Sequence, residues 1–128
     1  MGNTLSVTTG FGFAVPPEVI DRIEEKHEDD EMWDGFGEYI WKLSNEEELL
    51  EGRTVVHFDY SPHEEGRESS AVFVKSTVRT EYGAGVFHRA YFMGGLVSAD
   101  ELNALDRVAT KLEIEEADYE YLTTVSYG

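Results

Sequence analysis

Two consecutive prolines, Pro16 and Pro17, constrain this chain more than any other feature, because a pair without backbone N–H groups ends a β-ladder and permits a helix to begin. Before them, Leu5 to Val15 (LSVTTGFGFAV) is rich in β-branched and aromatic residues, with Phe11, Phe13 and Val15 alternating with small ones, and reads as a strand. Gly10 and Gly12 within it predict a bulge or a close backbone approach. After the prolines, Glu18 and Asp21 complement the positive end of a helix dipole. Val19, Ile20, Ile23 and His27 share one face at helical spacing, while Asp21, Glu24, Glu25 and Glu28 point away, and the helix is expected to end near Asp29.

From Asp30 to Leu43 the apolar residues Trp33, Phe36, Ile40 and Leu43 are spaced for a second helix, although Gly35 and Gly37 each weaken it by about 1 kcal/mol relative to alanine. The alternative is a turn at Gly35-Phe36-Gly37 followed by a strand through Tyr39, Ile40 and Trp41. Ser44-Asn45 opens a further acidic segment, which Gly52 is expected to break. Thr54–Tyr60 and Ala71–Tyr82 read as strands joined by a polar hairpin loop at 63–69, and Val86–Phe92 reads as another. Ser98-Ala-Asp-Glu101 is a capping box opening a helix that buries Leu102, Leu105, Val108 or Ala109, and Leu112. Tyr119–Tyr127 alternates as a final strand. The expected fold class is α+β: a single domain over residues 1–128, with a mostly antiparallel sheet of four to six strands and two or three helices packed on one face.

Charge is distributed unevenly. Between Glu18 and Glu51 there are 14 carboxylates against Arg22, Lys26 and Lys42, a net charge of −11 out of −17 for the whole chain of 128 residues. By contrast, residues 52–98 are balanced, with five acids and five bases. Three readings of the acidity stand: solubility alone, adaptation to high salt, or recognition of a basic surface by carboxylates standing where nucleic-acid phosphates would. High salt is disfavoured because Glu outnumbers Asp 19 to 8. Direct nucleic-acid binding is opposed by the net charge and by the lack of a basic patch interleaved with aromatics. The hydrophobic share of 41% is too high for a disordered chain, and the absence of cysteine removes disulfides and thiolate metal sites and fits a reducing compartment. No basic segment of a signal peptide precedes an apolar run, and no run approaches the ~20 residues of a membrane span. MGNTLS places Ser6 where an N-myristoylation pattern wants a hydroxyl, a loose match that the acidic surface disfavours.

Reaction motifs are missing. His57 and Asp59 would project to one face of a strand and form the alternative reading, a metal-dependent enzyme or small-molecule-binding domain; His63 follows beyond Pro62, and HEEGR lacks the second histidine of a zinc motif. An EF-hand started at Asp30 puts Gly35 correctly at position six but Met32 at three and Trp41 at twelve, where carboxylates are required. The glycine pairs at 10–12, 35–37 and 83–85 do not extend into nucleotide-binding loops, and no G-x-S-x-G elbow exists. These residues favour a non-enzymatic binding protein with no catalytic residue, metal or cofactor. Its candidate surface is the acidic face with Asp21, Glu24, Glu25, Glu28, Asp29 and Asp30, anchored by Trp33 or Trp41 from the aromatic group Trp33, Phe36, Tyr39 and Trp41.

GFGFAVP (10–16) followed by an acidic helix, together with the close EADYEYLTTVSYG (116–128), resembles small acidic proteins of actinobacteriophages. The resemblance implies an accessory phage protein acting in the host cytoplasm, where it binds and inhibits a host factor. It implies no catalytic residue.

Overall fold

A computed structural model describes residues 5–56, 68–82 and 97–127. The first strand, β1, spans Leu5–Val15, and Pro16 ends it. β1 is the centre of a five-stranded antiparallel sheet. Along one edge it pairs with β5 (Glu120–Tyr127), from Leu5↔Tyr127 to Gly12↔Glu120. Its other edge is shared: β4 (Arg79–Tyr82) covers Ser6 to Thr9, and β3 (Glu68–Val74) covers Gly12 to Val15. Beyond β3 lies β2 (Leu50–Val56).

The expected unbroken strand over 71–82 is therefore corrected. Between the pairs Gly12↔Phe73 and Thr9↔Arg79, the partner chain spends three more residues than β1, and these form a 3-10 turn at Lys75–Thr77. Thr77 repairs the interruption. Its hydroxyl accepts from the Phe11 N–H at 2.9 Å, which has lost its ladder partner, and donates to the Val74 carbonyl at 2.6 Å. Gly10 and Gly12 serve close approach rather than a bulge. A Cβ on Gly12 would lie 1.7 Å from the Val72 carbonyl oxygen, and one on Gly10 would lie 2.7 Å from the Phe73 ring.

Three helices cover one face. α1 (Pro17–Lys26) buries Val19, Ile20 and Ile23; α2 (Phe36–Glu46) buries Phe36, Ile40 and Leu43; α3 (Ala99–Lys111) buries Ala104, Leu105, Val108 and Ala109. They close over Phe13, Val15, Val72 and Val74 from the sheet, with Leu50 and Leu112. The capping box is present: Ser98 Oγ accepts from the Glu101 N–H at 3.2 Å, and the Glu101 carboxylate accepts from the Ser98 N–H at 2.9 Å. Leu102 lies at the edge of the core rather than inside it.

Other expectations shift. α1 stops at Lys26, and the second helix begins at Phe36 rather than Asp30, because Gly35, at φ 101°, turns the chain into it. Tyr39 to Trp41 are thus helical, and the turn-and-strand alternative is excluded. Gly52 does not break the chain; it lies inside β2, which starts four residues before the expected Thr54. The strand expected over 86–92, the remainder of the 54–60 strand and most of the hairpin loop lie outside the described residues.

Candidate functional site

α1 carries its charge in two directions. Arg22 and Lys26, its two bases, both turn toward the end of α3. Arg22 donates to the carbonyls of Leu112 and Glu113 at 3.2 Å each, and both side chains pair with the Glu113 carboxylate. Glu113 stands at positive φ (59°) just past the helix, and the lysine ammonium beside it lowers its pKa. Cations that complement the negative end of α3 are in this way withdrawn from the rest of α1.

The remaining carboxylates of α1 and that of Glu28 in the turn after it are exposed, and among the described residues Glu24, Glu25 and Glu28 form no ion pair. Asp21 is exposed on the same helix and does have an interaction partner.

The turn that follows is built on Asp30. Its Oδ1 accepts from the Met32 N–H at 2.9 Å, its Oδ2 lies 3.5 Å from His27 Nδ1, and its N–H and carbonyl bond to His27 and Trp33. His27 stacks on Trp33 with centroids 4.2 Å apart and planes at 6°, and Tyr39 closes the group at 5.4 Å from Trp33. Trp33 is thereby a half-buried strut of the turn. The side chain left outside is Met32, 83% exposed between Glu31 and Trp33. An isolated methionine in DDEMWD was the only sequence signal for it, and periodicity gave it no role.

The structure brings Asp21, Glu24, Glu25, Glu28, Asp29 and Asp30 onto one continuous stretch of α1 and its turn, all exposed, with Trp33 beneath the turn. Trp41 is not part of that surface. It is 54% exposed on α2, and the cleft it lines is formed from α2, β2 and the 3-10 turn, with no residue of α1.

Further along the acidic stretch three carboxylates are compensated at close range. Glu47 receives Arg107 through two hydrogen bonds of 2.7 and 2.8 Å, Glu46 receives Lys111 at 2.9 Å, and Glu51 receives Arg53 at 2.5 Å. The arginine hydrogen bonds hold the Glu47 carboxyl below the usual range. His57, Asp59 and His63 lie outside the described residues. Among the described residues no group of three metal-ligating side chains converges, and no helix is long and apolar enough to cross a membrane.

Fold and site together define an α+β protein with an antiparallel five-stranded sheet, helices on one face and an acidic helix at the surface. No protein-family model, curated protein or solved structure matches the chain.

Proposed function

We propose that this is a small non-enzymatic binding protein whose acidic α1 face docks on a basic surface of a host protein, one that ordinarily holds nucleic acid. On this reading it is a phage accessory protein that inhibits its target in the host cytoplasm. The observation carrying the proposal is the withdrawal of both α1 bases to Glu113, which leaves Glu24, Glu25 and Glu28 without counter-ions among the described residues. Such a group of charges steers a cationic partner over long distance and makes association fast and salt-dependent. Met32 supplies an apolar contact inside the charged ring, the kind of residue that adapts to an irregular partner surface.

Affinity capture from host lysate at low and moderate salt tests the reading. A specific partner that is displaced by DNA or RNA, and lost when Glu24, Glu25 and Glu28 are all replaced by lysine, supports it. Capture of nothing, or of a partner indifferent to those replacements, overturns it.

A further inference from the structure

The 3-10 turn that interrupts the β3–β4 edge does more than join two strands. It sets Lys75 at the mouth of a cleft of about 200 Å³, whose walls include Trp41 and Asn45 from α2 and Leu50 and Glu51 from β2. At about 30 Å³ per water, that is the room of roughly six or seven water molecules, enough for a small organic molecule. Gly52 contributes only backbone to the lining. A Cβ there would sit 2.5 Å from Ser44 Oγ, so the close packing of α2 on β2 leaves no side chain to fill the space.

Most of the described bases are compensated. Arg22, Lys26, Lys42, Arg53, Arg107 and Lys111 each have a carboxylate within ion-pair distance. Lys75 and Arg79 have none among the described residues, and of these two only Lys75 lines the cleft. The acid in the cleft wall, Glu51, is already neutralised by Arg53. The backbone that carries Lys75 is held in place: its N–H donates to the Leu49 carbonyl at 2.8 Å, and Thr77 two residues on ties the turn to β1, while the lysine side chain itself is exposed. The exposed indole of Trp41 lines the same cleft.

We propose that the cleft binds a small planar carboxylate, with its ring against Trp41 and its anionic end on Lys75. One cation matches one negative charge, while the net −17 of the chain repels ligands carrying several. An exposed tryptophan offers a π-face that rewards a flat ring over an aliphatic acid. The site is independent of the acidic α1 face, so either can fail without the other.

Benzoate is the probe. In a Trp33→Phe background, Trp41 fluorescence is titrated with benzoate, benzamide and inorganic phosphate at constant ionic strength; calorimetry on the unaltered chain repeats the comparison without that substitution. Benzoate should give a saturable change, with benzamide and phosphate each at least about tenfold weaker, the scale of one charge-assisted hydrogen bond. Lys75→Met, which keeps the length of the side chain, should weaken benzoate about tenfold and leave benzamide unchanged. The proposal is overturned by no saturable benzoate response, by equal binding of benzamide or phosphate, or by benzoate binding that survives Lys75→Met.

Discussion

Glu24 and Glu25 on α1 with Glu28 just past it, and Glu46 and Glu47 at the end of α2, belong to one acidic stretch of sequence, yet the fold treats them in opposite ways. Glu46 and Glu47 meet Lys111 and Arg107 of α3, one pair through parallel hydrogen bonds, and the contact between the two helices is laced by charge. α1 lies against the end of the same α3 helix, but there its own bases are consumed on Glu113, and Glu24, Glu25 and Glu28 stand without ion-pair partners among the described residues. Carboxylate density is therefore a poor guide to which acids are available. The cations that the fold brings to each carboxylate decide it.

If the two regions differ in charge compensation and not in packing, their cores should respond alike. Ile23 of α1 is 4% exposed and Ile40 of α2 is 0% exposed. Replacing either with alanine should cost about 2–5 kcal/mol in denaturant unfolding. A loss well below that range for Ile23→Ala alone would mean that α1 is loosely docked, and would undercut the comparison.

The next largest effect separates the regions by pH. Arg107 lowers the pKa of Glu47, and the Ser98 N–H and hydroxyl lower that of Glu101. A carboxyl depressed in the folded state contributes stability above its unfolded pKa of about 4.3, and that contribution is lost as pH falls through the folded value. Acid should therefore loosen the α2–α3 contact and the start of α3, and Glu47→Gln should flatten the acid limb of a melting-temperature profile. An acid limb unchanged by Glu47→Gln would show that the arginine pair does not couple to folding.

Smaller still are the neutral-pH effects, where the regions should differ in sign. Glu47→Gln removes a compensated charge and should destabilise by about 0.5–1 kcal/mol, the range for a well-aligned surface pair. Replacing Glu24, Glu25 and Glu28 together with glutamine relieves like-charge repulsion along the end of α1 and the turn after it, and should stabilise slightly at low salt. Urea midpoints of the two variants provide the comparison.

Much of this arrangement was legible in the chain. β1 could be bounded because prolines end it, the start of α3 because a capping box is a local signal, and the buried face of α1 because Val19, Ile20 and Ile23 keep helical spacing. The turn at Lys75–Thr77 was not, since KST between two β-rich runs reads as strand until the register of β1 is known on both sides. Gly52 misled for a related reason: its role is the approach of Ser44 on α2, a contact between elements rather than a local preference. The partition of the acids was hidden as well, because Arg107, Lys111 and Glu113 lie 60 to 91 residues away from the side chains they engage. Trp33 and Trp41, neighbours in sequence and in aromatic character, serve separate surfaces for the same reason.

The functional reading rests on the outer charge of α1 being uncompensated, and the salt dependence of the melting temperature measures that directly. Sodium chloride shortens the Debye length to ~10 Å at 0.1 M and screens repulsion between exposed charges. The melting temperature of the unaltered chain should rise as salt is added up to roughly that concentration, and the variant with Glu24, Glu25 and Glu28 replaced by glutamine should show a clearly smaller rise. A melting temperature that is flat or falls with salt, or an equal rise in both proteins, would contradict the account.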